Sequence, residues 1–404
     1  MTAQAGTEKR TAGPQSLKID IVVNGRFHAF ELANSLRALG HDVLVHTNYP
    51  KLIAARFGLP ADCIRSCLSH GLLSRSFDRI GRWAPKSVGD RVLHTAFGTW
   101  AARGIRPEAD IVHGFSGVME ETLQLPARSV ARQLRTIVRG SAHIREQARL
   151  LLEEEQRVGV PIDRPSEWMI AREEREYALA DRIIVLSTFA HESFVAGGVP
   201  RERLLVNPLG VDMDRFRVAG DDAAERKRRI LSGAPLRVLS VGTFSYRKGA
   251  HDLERMARAL NGRMQFRFVG NRPEETRELC LLAAPVMDFV DRVSEDSLPE
   301  QYAWGDVFVF PTIEDGFAAV ILQAAAGGLP VLATGNCAAP DCIVEGKTGW
   351  VLPIRNGEAF IERLIWCDEH RAELAAMSQA APACAHNRQW SVAADELATL
   401  LGQK

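Results

Sequence analysis

The 404-residue sequence predicts an α/β protein in which two domains each contain a doubly wound parallel sheet. The chain is longer than one hydrophobic core usually serves, which favours about two domains. Short β-branched runs alternate with amphipathic helical stretches, a pattern typical of βαβ units. This alternation restarts after a turn-rich segment at 206–218, so we place the domain boundary near Pro208.

The first predicted domain covers residues 17–208 and follows a polar tail, 1–16, that we expect to be disordered. Its helix 29–40 ends at Gly40, and its predicted strands are 17–23, 41–47, 109–116, 135–141 and 180–187. The second predicted domain covers residues 209–385, with strands at 236–242, 264–270, 286–291, 306–312 and 330–334. Its predicted helices are 249–260, 273–284, 296–304 and 318–328. We interpret the charged runs 153–155 and 223–235 as solvated surface.

Composition excludes several classes of protein. Lys plus Arg and Asp plus Glu both total 50, so the net charge is zero and a dedicated nucleic-acid binder is not expected. The seven cysteines are odd in number and lack paired C-x-x-C spacing, which predicts reduced thiols in a cytosolic protein. The N-terminus has no apolar core of a signal peptide, and no run approaches the ~18 apolar residues of a membrane span. We therefore expect a chain that is neither secreted nor transmembrane.

The stretch "SVGTFSYRKGAHDL" (240–253) suggests an anion site, because a predicted strand ends at Gly242 and a helix follows a loop with Arg247 and Lys248. The free N–H groups of a helix start favour an anion, and two adjacent cations suit a diphosphate. An ordinary solvated loop explains the same pattern equally well. "NGRFHAFELA" (24–33) repeats the arrangement in the first domain, where Gly25 would let the backbone approach a phosphate or simply form a turn.

An acidic pair, Glu314 and Asp315, follows the predicted strand 306–312 in "DVFVFPTIEDGF". Ligands of doubly wound sheets bind at the carboxyl ends of the strands, so these carboxylates are expected to face the cleft and accept hydrogen bonds from hydroxyls. The alternative is an N-terminal helix cap. Gln323 lies about two helical turns, or ~12 Å, after Asp315 and could address another part of an extended ligand.

A polar stretch, "VRGSAHIREQ" (138–147), follows a predicted strand of the first domain. Ser141 would cap the next helix, and His143 would lie in its first turn. Arg139 and His143 would then face the mouth of the sheet. A purely structural histidine is the alternative.

Several motifs in order resemble one family. They are "YALADRIIVLSTFAHESFVAGGVPRERLLVNPLGVDMDRF", "SVGTFSYRKG", "LPEQYAWGDVFVFPTIEDGFAAVILQAAAGGLPVLAT" and "VEGKTGWVLP". From about residue 17 to the end, the chain resembles a retaining glycosyltransferase of family 4 with the GT-B fold. "GRFHAFELA" and "RGSAHI" resemble a subgroup of bacterial cell-surface polysaccharide and lipopolysaccharide enzymes. The resemblance implies two Rossmann-like domains that face a cleft, with a C-terminal helix, 386–404, that crosses back to the first domain.

The resemblance also implies roles for individual residues. The implied catalytic pair is His143, beside the reactive end of the sugar, and Asp315, at the position of the family's first glutamate. The implied diphosphate site comprises Gly25, Arg247 and Lys248. The implied contacts to the sugar and ribose come from Glu314, Gly316, Phe317 and Gln323, with Gly316 and Phe317 offering backbone N–H groups.

Three positions depart from the family pattern. Thr243 stands where the family usually has an arginine, Asp315 is one methylene shorter than glutamate, and Gln323 replaces the second glutamate. A charged acceptor of a hydrogen bond contributes about 1.5–3 kcal/mol and a neutral one about half as much. We therefore expect weaker nucleotide binding rather than its loss.

The implied activity is metal-independent and retaining transfer of a sugar from a nucleotide-diphosphate sugar to a glycan or lipid-linked acceptor, with no cofactor. Two alternatives stay open: a sugar-nucleotide epimerase on the same fold, and a non-catalytic partner in glycan assembly. The basic and apolar pattern of 70–100 is compatible with peripheral contact to an anionic membrane, which would place a cytoplasmic protein at the inner face of the cell membrane. A partly buried helix with solvated arginines explains that pattern as well.

Overall fold

The protein has two parallel sheets, each with a strand-order reversal near its centre. The computed structural model describes residues 16–71, 73–74, 86–126, 133–218 and 220–402. The strands of the first sheet are β1 (Lys18–Val23), β2 (Asp42–Thr47), β3 (Ile64–Ser66), β4 (Ile111–Phe115), β5 (Leu134–Arg139), β6 (Arg182–Val185) and β7 (Leu204–Val206). They are arranged in the order β3-β2-β1-β4-β5-β6-β7, and every paired strand is parallel.

The second sheet repeats this plan. Its strands are β8 (Leu236–Thr243), β9 (Met264–Asn271), β10 (Met287–Val290), β11 (Val307–Phe310), β12 (Val331–Thr334) and β13 (Gly349–Leu352). Their order is β10-β9-β8-β11-β12-β13, again with parallel pairing. The order reverses between β1 and β4 in the first sheet and between β8 and β11 in the second. Such switch points open a crevice beyond the carboxyl ends of the strands.

Helices connect the strands of both sheets. Those that precede β8 are α1 (Ala29–Ala38), α2 (Lys51–Ala54), α3 (Lys86–Ala102), α4 (Glu120–Leu123), α5 (Ile144–Val158), α6 (Glu167–Leu179), α7 (Thr188–Ala196), α8 (Met213–Phe216) and α9 (Gly220–Leu231). Those that follow it are α10 (Ala250–Ala259), α11 (Arg277–Ala283), α12 (Leu298–Trp304), α13 (Ala319–Ala326), α14 (Ala339–Cys342), α15 (Gly357–Glu369), α16 (Arg371–Ala380) and α17 (Trp390–Gly402).

The predicted twin parallel α/β architecture is confirmed, with differences at the level of elements. The sequence does not predict β3, β7 or β13, and the first two have only three residues each, too few to show a period. The boundary near Pro208 stays a prediction, and in the structure β7 ends at Val206 while β8 begins at Leu236.

The charged run 223–235 is not simply solvated, since it includes most of α9 and buries Arg226. The Arg226 guanidinium donates to carbonyl oxygens at the ends of α12 and α13, including those of Tyr302 at 2.8 Å and Gly327 at 2.6 Å. A guanidinium has five N–H donors and can satisfy several helix-end carbonyls at once.

The prediction of a solvated face at 153–155 is likewise wrong for its central residue. The Glu154 side chain is fully buried, and its carboxylate pairs with Arg157 and with Arg355 of the second domain. Arginine partners make the burial of this carboxylate possible.

The C-terminal helix packs on the first domain, as predicted. Leu397 and Leu401 of α17 are buried in the same apolar cluster as Leu36 of α1. The chain crosses between the domains twice, and the two crossings are hydrogen-bonded where Val211 N–H donates to the Arg388 carbonyl at 2.6 Å.

The predicted tail falls almost wholly on residues 1–15, which lie outside the described residues, and residues 72 and 75–85 of the predicted membrane-contact segment lie outside them as well. Most of the described part of that segment belongs to α3, where the Lys86 ammonium contacts Asp163 and the Arg164 carbonyl. No helix in the described ranges combines the length and apolar character that a membrane crossing requires. All seven cysteines are described, and each is a free thiol.

Candidate active site

Two cations reach the cleft from a tight loop between β8 and α10. Arg247 and Lys248 lie in a single 3-10 turn, and Gly249 follows in the left-handed region with φ of +76°. A Cβ atom at Gly249 would lie only 1.9 Å from the Pro311 carbonyl oxygen. Glycine is therefore required here, and its close approach brings both cations beside the end of β11.

Lys248 and Asp315 form an ion pair at the cleft. The Lys248 ammonium lies 2.5 Å from Asp315 Oδ2 and donates to the Glu314 carbonyl at 3.3 Å. Burial would raise the pKa of Asp315, but the charges of Lys248 and then Arg247 outweigh it and hold that pKa below its usual value. Asp315 is consequently ionised at neutral pH.

The other carboxylate oxygen of Asp315 caps the turn before α13. Asp315 Oδ1 accepts hydrogen bonds from the N–H groups of Phe317 and Ala318, both at 3.0 Å. The alternative of a helix cap therefore describes one oxygen of Asp315, while the other faces Lys248. Ala318 itself has φ of +66°, a conformation that costs a non-glycine residue energy and often occurs at functional sites.

Glu314 is fully buried and bridges the two domains. Its Oε1 accepts the Ala142 N–H at 2.8 Å, and its Oε2 accepts Gln147 Nε2 at 3.0 Å. From its own domain, Arg247 Nε donates to Oε2 at 2.9 Å. Arg247 also donates to Ser141 Oγ at 2.9 Å, so the guanidinium contacts both domains.

Gly316 lies directly against the first domain. Its carbonyl accepts a hydrogen bond from Ser187 Oγ at 2.7 Å. A Cβ atom at Gly316 would lie 2.5 Å from backbone atoms of Gly140 and Ser141. The domains are thus closed around this loop, and the adjacent Phe317 ring is buried.

His143 lies at the facing edge of the first sheet, where it caps α5 instead of lying in its first turn. The expected cap, Ser141, is two residues earlier, and His143 Nδ1 accepts the Arg145 N–H at 3.3 Å. The ring packs on Tyr177 and Phe194 with centroids 5.1 Å away. Burial lowers the pKa of His143 to about 4, so its ring is neutral near pH 7.

Arg139 is buried at the end of β5 and does not lie open at the mouth of the sheet. Its guanidinium pairs with Glu173 at 2.6 Å and donates to Gln147 Oε1 at 2.8 Å. Gln147 in turn donates to Glu314, which makes a continuous chain of hydrogen bonds from the first domain to the second.

Two further predicted contact residues, Gly25 and Gln323, each accept a hydrogen bond within the protein. Gly25 follows β1 with φ of +113°, and its carbonyl accepts a hydrogen bond from Thr47 Oγ1 at 2.7 Å. Gln323 is half-buried on α13, where its Oε1 accepts the Tyr302 hydroxyl at 2.8 Å. The Gln323 amide nitrogen is therefore the group left for a ligand.

The structure brings Arg247, Lys248, Glu314 and Asp315 together, as the sequence predicts, but adds partners that the sequence did not reveal. These are Ser141, Ala142 and Gln147 of the first domain, and Ser187 donates to the carbonyl of the adjacent Gly316. Gln147 lies one helical turn after His143, a spacing that could have drawn attention to it. Within the described ranges, no group of three or more His, Cys, Asp or Glu side chains is arranged to hold a metal ion.

Comparison with known proteins gives two family matches. The model described as "Glycosyltransferase Family 4" matches residues 26–215, and that described as "Glycosyl transferases group 1" matches residues 235–369. Together they cover most of both domains.

Curated relatives match over part of their length. A GDP-mannose-dependent alpha-mannosyltransferase of Mycobacterium tuberculosis is 30% identical over 59% of this chain and 60% of its own. A putative colanic acid biosynthesis glycosyltransferase, WcaL of Salmonella typhimurium, is 28% identical over 41% of this chain and 42% of its own. The chain thus spans between about two fifths and three fifths of these relatives.

A solved structure agrees over nearly the whole fold. HepE of Anabaena, crystallised with UDP-glucose, superposes with a TM-score of 0.68 and 17% identity over 96% of this chain and 100% of its own. At this identity the likeness concerns the fold, and it agrees with two Rossmann-like domains facing a cleft. The two family matches show that the chain belongs to the family 4 glycosyltransferases, and the superposition shows that it has the GT-B fold.

Proposed function

We propose that the protein transfers a sugar from a nucleotide-diphosphate sugar to a hydroxyl group of a glycan or lipid-linked acceptor. One observation carries this proposal: Arg247 and Lys248 lie beside the carboxylates of Glu314 and Asp315 at the carboxyl ends of β8 and β11. This cluster faces the loop 140–143 of the first domain. The names of the relatives and the ligand of HepE support a nucleotide-sugar donor.

The diphosphate would lie against Arg247, Lys248 and the N-terminus of α10. Both cations and the free N–H groups of the helix would stabilise negative charge as the diphosphate leaves. Preorganised charges of this kind can replace a metal ion, so we propose a metal-independent reaction. Gly25 would approach the same diphosphate from the first domain, since a residue without a Cβ lets a ligand come close to the backbone.

The sugar and ribose would be held by the second domain. Asp315, already ionised, can accept hydroxyl hydrogen bonds at the edge of its pair with Lys248, and the Gln323 amide can bind the ribose. The N–H of Gly316 is the proposed backbone donor, because that of Phe317 is bonded to Asp315.

For the chemical step we propose retention, with the acceptor attacking from the face that the diphosphate leaves. A departing phosphate oxygen would take the acceptor proton. His143 would contribute as a neutral group that orients the sugar and fixes the loop 140–143, because its lowered pKa excludes a protonated ring near pH 7.

Incubation with GDP-mannose, UDP-glucose and other nucleotide sugars tests this function. We expect slow release of GDP or UDP without an acceptor, faster release with one, and no loss in EDTA. NMR of the product would show the anomeric configuration of the donor preserved. Conversion of the donor into its epimer would favour the epimerase alternative, and an absence of binding to every nucleotide sugar would favour a non-catalytic partner.

We further propose, on the sequence pattern of 70–100 alone, that the protein contacts anionic membranes from the cytoplasmic side. Co-sedimentation with vesicles of phosphatidylserine and phosphatidylcholine tests this. Replacing Arg75, Arg79 and Arg82 by glutamate should abolish co-sedimentation. Unchanged co-sedimentation of that variant would contradict the proposal.

A further inference from the structure

Glu314 makes protein contacts that a simple sugar-binding carboxylate would not need. Its side chain has no solvent exposure, and its two oxygens accept from Ala142, Gln147 and Arg247. Two of these three donors belong to the first domain. A buried carboxylate is retained at low cost only when its oxygens are paired in this way.

Arg247 depends on these contacts for its orientation. Its guanidinium is held by Glu314 on one side and by Ser141 Oγ, 2.9 Å away, on the other. Ser141 and Gln147 are also hydrogen-bonded to each other, at 3.2 Å. Because three of the groups that fix this assembly, Ser141, Ala142 and Gln147, come from the first domain, the orientation of Arg247 depends on domain closure.

We propose that Glu314 is a positioning residue that holds Arg247 in its diphosphate-binding orientation when the domains close. This inference rests on the proposed function and assigns Glu314 a role other than a direct contact to the sugar. A misplacement of about 1 Å in a catalytic assembly can lower turnover by ~10²-fold.

The test uses Glu314→Gln in the full chain. A glutamine has one acceptor oxygen for three donors, so its amide would face at least one N–H group and release Arg247. We expect turnover of UDP-glucose or GDP-mannose to fall by about 10²-fold. The ratio of the dissociation constants for UDP-glucose and UDP should stay unchanged, whereas a change in that ratio would show a direct sugar contact and overturn the proposal.

A second variant separates closure from the orientation of Arg247. Adding Gln147→Glu to Glu314→Gln exchanges the carboxylate and the amide, which restores a hydrogen bond between the domains while Arg247 stays without its carboxylate partner. We expect Ala142 to regain slow amide exchange but turnover to stay low. Recovery of turnover in this double variant would mean that Glu314 serves closure alone.

Arg355→Gln provides the matched control for closure. Arg355 donates to Glu154 at 3.0 Å and to the Leu150 carbonyl at 2.7 Å, far along α5 from Arg247. This variant should loosen the domain contact while leaving the Arg247 side chain with its partners. A loss of turnover as large as that of Glu314→Gln would overturn the proposal.

The Nε–H signal of Arg247 in ¹⁵N NMR gives a readout that needs no activity, with Arg247→Lys for its assignment. We expect a slowly exchanging signal in the wild-type protein that is lost in Glu314→Gln. An unchanged signal would overturn the proposal. If the wild-type protein does not release nucleotide from any donor, the proposed function fails. The Arg247 Nε–H signal and the exchange rate of the Ala142 amide would still show whether Glu314 orients Arg247.

Discussion

The carboxyl edges of the two sheets differ in charge although their strand orders are alike. At the first edge, burial lowers the pKa of His28 to about 3 and that of His143 to about 4, and burial within β4 lowers that of His113 to about 4, which leaves three neutral rings. At the second edge, Lys248 and Asp315 face each other as a charged pair. The same topology thus carries neutral rings in one sheet and a partly exposed charged pair at the edge of the other, and the charged pair is where we propose that the anionic donor binds.

Lys248→Met should break this contrast most strongly, because it removes a cation from the charged edge and leaves Asp315 without its partner. We expect turnover to fall by about 10²–10³-fold, as for the loss of one group that stabilises transition-state charge. Nucleotide release from GDP-mannose or UDP-glucose measures the effect. Lys227→Met, in the exposed part of α9, is the control, and an equal loss in that variant would contradict a specific role.

Gly316→Ala should prevent the two edges from meeting. The added Cβ would lie 2.5 Å from the first-domain backbone, so the loops must separate. We expect a fall in turnover of about 10²-fold, with nucleotide binding to the second domain little changed. Calorimetry with UDP or GDP distinguishes the two quantities. Gly220→Ala, where no atom lies within 4 Å of the added Cβ, should have no effect on either.

The neutral histidines of the first domain allow a prediction of how the stability of the protein depends on pH. Since the folded pKa values of His28, His113 and His143 lie below the ordinary histidine value of about 6.5, the unfolded chain binds more protons at these groups between about pH 4 and 6.5. The contribution of these three groups to the free energy of unfolding should therefore fall as the pH is lowered through this range, by up to about 1.4 kcal/mol per pH unit for each histidine. Chemical denaturation at pH 7 and pH 5 measures the fall.

His113→Asn should reduce that slope, since it removes one of the three titrating groups. His386→Asn, at an exposed position, is the matched substitution. Equal slopes in the wild type and His113→Asn would contradict the assignment of a neutral, buried His113.

Gln323→Glu should strengthen nucleotide binding at the charged edge of the second sheet, with a smaller effect than the substitutions above. A carboxylate can still accept the Tyr302 hydroxyl and would add a charged acceptor for ribose hydroxyls. We expect nucleotide affinity to rise by about three- to tenfold, measured by calorimetry with UDP and GDP. Gln265→Glu, an exposed position on β9, is the control. Weaker binding in Gln323→Glu would argue against a ribose contact at this position.

Local sequence was sufficient to predict the two parallel sheets and the cluster of Arg247, Lys248 and Asp315. Each strand, its glycine turn and the next helix are contiguous, so the direction of the strand places these residues at the cleft. The partners of Glu314 could not be predicted in this way. Ala142 is 172 residues from Glu314 in the chain, and its contact depends on how two separately folded sheets close.

Burial was the other property that local pattern did not reveal. Arg226 and Glu154 lie in charged runs that resemble exposed helix faces, yet both are buried. Each is stabilised by groups distant in sequence, including the Gly327 carbonyl for Arg226 and the Arg355 guanidinium for Glu154. A count of charges along a helix cannot distinguish such a residue from its solvated neighbours.

The paired crossings near Val211 and Arg388 have a mechanical consequence. Gly210 is packed so closely that a Cβ atom there would lie 2.5 Å from Trp390 Cα, and the hydrogen bond from Val211 ties the outgoing chain to the returning one. Two linkers that are hydrogen-bonded to each other act as a single hinge between the domains. Rotation of the domains about this hinge would open and close the cleft on the opposite side. Sliding or twisting of one domain over the other would strain both linkers.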